Sequence, residues 1–292
     1  MLLKSVTLLA LSAFASAMPV KRAAVTDSDI FQIALTLEHL ENAFYTEGLK
    51  KYDAAAFRKA GFPDWVRERI TQVAEHEATH VKSLEKKLGS AATQPCTYQF
   101  PDTDAKSFVT LAGALEWGGA SAYLGAISHL TDPDDITVAG SILATEARQA
   151  AWINSAALKG FPWDGSFNTP LTADEVLGIV QGFFKTCPAS NPKLIAAPFP
   201  SKLTVGKAVL GHNVAVTFTP PSGSTQQFYL ALRSGLKTHV SPIVGGQAKL
   251  PAHLQGNVFA TVVDNPNVTT DANTVAGTAV LTFPLPANAH NS

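Results

Sequence analysis

The sequence lacks a strong excess of charge, and several common catalytic signatures are missing from it. The net charge is -1, and no block of Lys or Arg residues stands out, which argues against nucleic acid as a partner. The chain contains neither a Gly-rich phosphate-binding loop nor a Gly-x-Ser-x-Gly nucleophile elbow. It also has no apolar C-terminal tail, so we do not expect a membrane anchor of the lipid type.

Cysteine is scarce, because the chain has only Cys96 and Cys187. In a secreted protein an even pair is most simply one disulfide, and we do not expect these cysteines to bind metal. Closing a loop of this length would stabilise the fold by about 4 to 5 kcal/mol at most. We also predict N-glycosylation at Asn267, which begins an Asn-x-Thr acceptor that should lie in a surface loop.

The N-terminus predicts secretion to the extracellular space. Residues 1–17 combine an early positive charge at Lys4, a short apolar run from Val6 to Phe14, and a small-residue cleavage site at Ala15–Ala17. The apolar run is too short to span a bilayer. Residues 18–22 end in a dibasic pair at which a kexin-like protease could remove a propeptide, or which is an ordinary charged surface pair.

The residue pattern of the chain changes near Pro188. With 292 residues, the chain is also longer than one ordinary single-core domain. Before this proline the apolar residues follow a helical period. After it, short runs rich in Val, Thr, Phe and Tyr are broken by Gly, Pro, Ser and Asn, which is typical of a small antiparallel β-sandwich. We therefore predict an α+β multidomain chain with a signal peptide at 1–17, a propeptide at 18–22, a helical bundle at 23–188, a linker at 189–200, a β-sandwich at 201–286 and a tail at 287–292.

Four long helices and a shorter fifth are predicted for the first half. Start signals such as Asp27 or Ser28, Pro63 and Pro133 precede the long segments, and glycines follow several of them. The capping-box pattern Thr172–Glu175 opens the fifth. The expected helices cover about 26–49, 63–88, 105–130, 133–159 and 176–184.

Acidic residues interrupt the apolar face of each long helix. Glu77 and His80 lie three apart on the stripe that should face a core. Glu38, Glu116 and Glu146 occupy matching positions on the other three helices. A buried carboxylate is costly unless a metal, a cation or hydrogen bonds compensate it, and an inward Glu-x-x-His is one of few local patterns tied to a di-metal site.

The two halves of the predicted bundle repeat each other. Each begins with a glutamate followed seven residues later by a tyrosine, and each continues with a Glu-x-x-His or Glu-x-x-Gln pair. The repeated positions are Glu38, Tyr45, Glu77 and His80 in the first half, and Glu116, Tyr123, Glu146 and Gln149 in the second. This order is the arrangement by which a four-helix bundle holds two metal ions.

With these segments the chain resembles the ferritin-like superfamily, and in particular the secreted fungal ferritin-like proteins linked to stress response and late sexual development, with related plant desiccation proteins. The likeness covers about half of the chain, roughly Thr26 to Lys159, and is carried by Leu35–Tyr45, His76–Val81, Leu115–Trp117 and Glu146–Trp152. It implies an antiparallel four-helix bundle with iron or manganese. It also implies bridging carboxylates at Glu77 and Glu146, terminal carboxylates at Glu38 and Glu116, and an imidazole ligand at His80.

The chain departs from this pattern at Gln149, where the family expects histidine. An amide oxygen is a poorer iron ligand than imidazole, although it can coordinate a hard cation such as manganese or calcium. We therefore expect one or two ions, with a weak second position. Glu41 is a further candidate, either as a ligand or as a base on the rim of the bundle, or it is half of a salt bridge. Tyr45 and Tyr123 are candidates for redox activity, for hydrogen bonds to the carboxylates, or for packing.

Three functions are compatible with the sequence. The first is a carboxylate-bridged iron or manganese site for oxidative chemistry, or for metal and peroxide handling in stress, which Glu77 and His80 favour. The second, favoured by Gln149, is a non-enzymatic extracellular or cell-wall-associated stress or development protein. Its bundle is metal-free, and Arg148, the tyrosines and water satisfy the carboxylates. In the third, the bundle is only a scaffold, and the β domain binds a cell-wall polysaccharide or a partner protein through exposed aromatic residues. Phe228, Tyr229 and Phe259 are candidates for this surface or, equally, for the core of the β domain.

Overall fold

The computed structural model describes residues 25–192, 201–267 and 271–288. The expected signal peptide and propeptide lie outside these residues, as do positions 193–200 of the expected linker and 289–292 of the expected tail. Helices occupy the first part of the chain and antiparallel sheets the second. The predicted fold class, a helical bundle followed by a small antiparallel β domain, is confirmed.

The long predicted helices are present, with small changes at their ends. One additional helix, α2, is too short to leave a clear periodic pattern in the sequence, and α5 continues into a π-helical turn over Ile153–Ala157. In the described residues the α-helices are α1 (Asp27–Lys51), α2 (Ala54–Lys59), α3 (Asp64–Leu88), α4 (Ala105–Ile127), α5 (Pro133–Trp152) and α6 (Ala173–Val180).

Local sequence explains where most of these helices begin. Thr26, Asp104 and Thr172 each form a capping box, in which the side chain accepts a hydrogen bond from the backbone N–H three residues on. Asp132 caps α5 in a similar way, with Pro133 in the first helical position. Each cap satisfies backbone N–H groups that the helix itself leaves without partners.

Contacts at the helix ends show the direction of each helix. Gln32, near the start of α1, donates to the carbonyl of Ala91 just past the end of α3. Arg67, near the start of α3, donates to the carbonyl of Leu49 near the end of α1. The two helices are therefore antiparallel.

The same reasoning orients the other two long helices. Asp27, at the start of α1, accepts from the backbone N–H of Thr131 just past α4, so α1 and α4 are antiparallel. Lys87, at the end of α3, forms an ion pair with Asp135 at the start of α5, so α3 and α5 are also antiparallel. Since α3 and α4 then run the same way, residues 89–104 must cross the length of the bundle. This segment, called the crossover below, gives the bundle one long connection.

A disulfide fixes the crossover. Cys96 and Cys187 are bonded with an S–S distance of 2.03 Å, and they lie 91 residues apart in the chain. Beside them, β1 (Thr97–Tyr98) pairs with β2 (Phe184–Thr186) in a short antiparallel ladder. The crossover is thus joined to the segment that follows α6.

Two apolar clusters fill the bundle. The buried glutamates, Glu38, Glu41, Glu77, Glu116 and Glu146, lie between the two clusters and are called the acidic layer below. One cluster surrounds Phe108 and Phe44 at the end of the bundle where α4 starts. The other contains Leu35, Val81 and Ile142 near the start of α1. The acidic layer is therefore enclosed along the bundle axis by hydrophobic side chains.

The β domain has two antiparallel sheets. Its strands are β3 (Thr204–Val205), β4 (Asn213–Thr217), β5 (Tyr229–Ser234), β6 (Lys237–Pro242), β7 (Gln247–Lys249), β8 (Gly256–Val263) and β9 (Thr274–Phe283). One sheet has the order β3-β4-β7 and the other β6-β5-β8-β9. Side chains from both sheets, including Val214, Leu230 and Val258, share one apolar core, as expected of a sandwich.

The larger sheet also packs on the bundle. All eight residues of β8 are buried, and Phe259 belongs to the helical core. Arg233 on β5 forms an ion pair with Glu175 of α6 at 2.8 Å. The Asp164 carboxylate accepts from the Asn257 backbone N–H at 2.6 Å, and burial raises the pKa of Asp164 to about 7.

Burial also bears on the aromatic residues considered for a binding surface. Phe228 is 9% exposed and Phe259 is 3% exposed, so neither offers a stacking surface. In the part of the chain that the structure describes, no helix combines the length and apolarity needed to cross a membrane.

Candidate metal centre

Each long helix contributes at least one buried glutamate to the acidic layer. Glu38 comes from α1, Glu77 from α3, Glu116 from α4 and Glu146 from α5, and none of the four is more than 1% exposed. Their burial follows from the helical period, because each glutamate replaces one apolar residue on the inward stripe. The interruptions seen in the sequence therefore point into the bundle.

Four of the predicted ligand residues come together in one cluster. Glu38, Glu77, His80 and Glu146 each offer one ligand atom, and these atoms all lie within 4.8 Å of one another. His80 Nδ1 lies 3.0 Å from Glu77 Oε2 and 3.4 Å from Glu38 Oε2. Three carboxylates and one imidazole are a donor set that suits iron, manganese or zinc.

Gln149 lies beside this cluster, and its amide is already engaged. Its Nε2 donates to Glu77 Oε1 at 3.1 Å and lies 3.1 Å from His76 Nδ1. Its Oε1 is buried and has no hydrogen-bond partner among the described residues. The side chain therefore offers an oxygen acceptor where the family pattern expects a nitrogen.

The two tyrosines form a reciprocal pair of hydrogen bonds across the bundle. Tyr45 on α1 donates to Glu116 Oε1 of α4 at 2.5 Å. Tyr123 on α4 donates to Glu38 Oε1 of α1 at 2.6 Å. Each tyrosine thus orients a buried carboxylate of the opposite half, which fits the role of a residue that positions a candidate ligand.

Glu41 is the fifth carboxylate of the layer. It is 4% exposed, so it is not on the rim of the bundle. Burial raises its pKa well above the usual value, and repulsion from Glu116, Glu38 and Glu77 adds to the shift. Its place in the layer is that of a further acidic group close to the candidate ligands.

Several carboxylate oxygens of the layer have no partner within the described part of the chain. Both oxygens of Glu146 are buried without a hydrogen bond, as are Oε2 of Glu38 and Oε2 of Glu116. A buried polar atom without a partner costs about 1 to 3 kcal/mol, and more when it is charged. A shared cation would satisfy these oxygens together, so the residues present fit a metal ion.

The electrostatics of the layer point the same way. Burial, with mutual repulsion, raises the pKa values of Glu116 and Glu146 well above the usual range. Burial also raises the pKa of Glu38 to about 7, although the hydrogen bond from His80 opposes the shift. Burial alone would lower the pKa of His80, but Glu38 and Glu77 outweigh it and raise that pKa to about 10. Without a cation, the layer therefore holds protons that a metal would displace.

Arg148, which the metal-free alternative assigned to neutralise a carboxylate, does not enter the layer. It is exposed, and its guanidinium donates to Thr145 on the same helix. This assignment is wrong because position 148 lies on the outer face of α5, two residues past Glu146 and about 200° around the helix.

Sequence reasoning missed one residue of the site, Gly119. A Cβ at this position would lie 2.5 Å from Glu146 Oε2 and 3.1 Å from Glu41 Oε1. Only glycine leaves room for both carboxylates against α4. The available signal was its spacing, three residues after Glu116 and on the same face.

Comparisons with known proteins concern mainly the helical part of the chain. Residues 26–159 match the family described as "Ferritin-like domain". The chain is 29% identical to protein rds1 of Schizosaccharomyces pombe over 176 residues, which is 60% of this chain and 43% of that protein. It therefore spans less than half the length of this curated relative.

A crystal structure of a conserved hypothetical protein from Mycobacterium tuberculosis is also similar. It has 22% sequence identity and a TM-score of 0.38, and the match covers 48% of this chain and 96% of that one. The family match and the bundle topology agree on the same residues. Residues 26–159, somewhat less than half of the chain, thus form a helical bundle that is similar to a ferritin-like domain.

Proposed function

We propose that the bundle holds one or two iron or manganese ions between its four long helices, for oxidative chemistry or for metal and peroxide handling in stress. One observation carries this proposal: among the described residues, both oxygens of Glu146 are buried without a hydrogen-bond partner beside Glu38, Glu77 and His80. In a chain that bound no metal, this arrangement would be an uncompensated cost to folding.

The residues divide into ligands and residues that position them. Glu38, Glu77, His80 and Glu146 would hold the first ion. Glu116 and Gln149, with Glu77 and Glu146 shared between the ions, would hold a second, weaker one. When bound, iron or manganese would supply redox chemistry and Lewis acidity.

The chain itself fixes the geometry of these ligands. The hydroxyls of Tyr45 and Tyr123 hold the two terminal carboxylates, and the apolar clusters on either side limit the access of water.

Metal analysis of variants tests this function. Protein purified without chelators should contain iron or manganese, and Glu77→Ala and Glu146→Ala should lose it. Glu75→Ala is a matched control, because Glu75 is exposed on the same helix as Glu77. Less than about a tenth of an equivalent of metal, with no uptake on reconstitution, would reject the proposal, and so would full metal content in both ligand variants.

The metal-free alternative has its own supporting observation. The amide of Gln149 already donates to Glu77, and each terminal carboxylate already accepts from a tyrosine. In that case the chain is a non-enzymatic extracellular or wall-associated protein. Elemental analysis separates the two functions, since this one requires a folded protein that takes up no metal.

We further propose that the protein is secreted and glycosylated. The disulfide between Cys96 and Cys187 supports an oxidising compartment, and Asn267 is exposed in the turn after β8. Mass spectrometry of protein from the culture medium should find a mature N-terminus after Ala17 or after Arg22, and a glycan on Asn267. An intact N-terminus on purely intracellular protein would contradict secretion.

A further inference from the structure

A large cavity lies beside the acidic layer, between α1, α4, the start of α6 and the loops next to α6. Its volume is about 720 Å³. Its walls are mostly apolar and include Ile30, Ile33, Ala34 and Ala126. We call this cavity the apolar cleft. Ligand pockets for small molecules usually measure about 300 to 1,000 Å³, so the cleft has the size of a binding site.

The apolar cleft reaches residues that hold the candidate ligands. Tyr123 lines it, and the hydroxyl of this residue donates to Glu38. Leu37 also lines it and directly precedes Glu38 in α1. A molecule in the cleft would therefore contact Tyr123, whose hydroxyl hydrogen-bonds one of the candidate ligands.

A second, much smaller cavity continues toward the carboxylates. It measures about 20 Å³ and is lined by Glu41 and Gly119, among others. Leu37 and Val176 line both cavities, so these two side chains lie at the junction. The smaller cavity, which Glu41 lines, therefore adjoins the apolar cleft at these two side chains.

The charge at the rim of the cleft limits what can bind. Asp29, Asp174 and Asp271 line it. Its arginine, Arg233, is paired with Glu175 at 2.8 Å. Because acidic groups outnumber basic ones, the rim repels an anionic head group and favours a neutral or cationic one.

We propose that the apolar cleft binds a neutral or cationic apolar small molecule as the substrate of the metal site. The claim of a substrate rests on the proposed function, whereas the claim of a binding site rests on the cleft alone. Binding is therefore measured first on metal-free protein, so that the two claims can fail separately.

The neutral fluorophore N-phenyl-1-naphthylamine serves as the probe. Metal-free protein should bind it with saturation at one equivalent. Ala122→Phe places a ring in the cleft and should weaken binding about tenfold or more, which corresponds to the loss of one large apolar contact. Ala144→Phe is the control, because Ala144 is exposed on α5 and does not line the cleft. Unchanged binding by a folded Ala122→Phe, or equal loss in both variants, would overturn the site.

Ala126→Met provides a second, milder change, one turn further along α4, should Ala122→Phe fail to fold. This variant should also bind the probe more weakly than the wild type does, and unchanged binding would likewise overturn the site. Dodecylamine should displace the probe at concentrations about tenfold lower than dodecanoate. The reverse order would refute the assignment of charge.

The link to the metal site needs a separate measurement. In manganese-loaded protein, the probe should change the electron paramagnetic resonance spectrum of the ion, because it contacts Tyr123 and through it Glu38. The spectrum of Ala122→Phe should not respond to the same concentration. Binding without any spectral change would remove the substrate role and leave a separate ligand site, whereas failure to load manganese would contradict the proposed function instead.

Discussion

Replacing Gly119 with alanine should weaken metal binding without unfolding the protein. A Cβ at position 119 would lie 2.5 Å from Glu146 Oε2, which is too close for any stable contact. The atom it meets is the far end of a flexible side chain, so the carboxylate can rotate away at small cost to stability. That rotation moves Glu146 out of the group of atoms it forms with Glu38, Glu77 and His80.

The neighbouring glycine provides a matched control. A Cβ at Gly118 would meet no atom within 4 Å. Gly118→Ala should therefore leave metal affinity unchanged and stabilise the metal-free protein by up to about 1 kcal/mol, because alanine favours the helix. Gly119→Ala gains the same helix propensity, but it displaces Glu146. Displacing a ligand, or a residue that positions a ligand, typically lowers metal affinity by about 10- to 100-fold.

Two measurements separate these effects. Competition with a chromophoric chelator gives the manganese affinity of each variant, and urea unfolding of metal-free protein gives its free energy of unfolding. We expect the two variants to differ strongly in manganese affinity. Their free energies of unfolding should differ by about 3 kcal/mol at most, which is the upper end of the usual range for overpacking. Equal metal affinity in Gly119→Ala and Gly118→Ala would refute the placement of Glu146 as a ligand.

Three further predictions follow from the same layer and from the junction with the sheets. Gln149→His removes the amide donor from Glu77 and adds a nitrogen ligand, so a second equivalent of Fe(II) should bind about tenfold more tightly or better; an unchanged anaerobic titration would argue against this position. Because the pKa of Glu38 is raised to about 7, and the pKa values of His80 and Glu146 are raised as well, a metal must displace more than one proton below about pH 7. Metal affinity should therefore fall by about tenfold or more per pH unit there, and a flat profile between roughly pH 5 and pH 7 would contradict this expectation. The pKa of Asp164 is raised from 3.8 to about 7, so the folded state binds this proton more tightly and stability falls as pH rises across that interval, by roughly 4 kcal/mol in all. Asp164→Asn should remove this slope in urea unfolding, and parallel curves for wild type and variant would show that Asp164 does not cause it.

The acidic layer could be predicted because helical periodicity is a local property. A glutamate in an apolar stripe must point inward wherever the helix packs, and four such positions predicted four buried carboxylates. The seven-residue spacing of Tyr45 from Glu38 marked the tyrosine, but not its partner. The hydrogen bond goes to Glu116 on another helix, and that pairing depends on how the helices are arranged.

The position of the β domain could not be predicted for a related reason. The Pro-rich segment near residue 190 favoured two domains joined by a linker. In the structure, every residue of β8 is buried and Phe259 packs into the helical core. A strand buried on both faces reads in the sequence as a continuous apolar run, which does not reveal what covers its second face.

The crossover has a consequence for the origin of the bundle. Residues 27–88 and 105–152 are two helical hairpins, and the crossover is the covalent link between them. Two copies of the first hairpin, joined in the same way, would build a symmetric centre with two imidazoles, whereas two copies of the second would build one with none. Duplication of a single hairpin would produce the spacing that the two halves share, and His80 and Gln149 mark the position at which they differ.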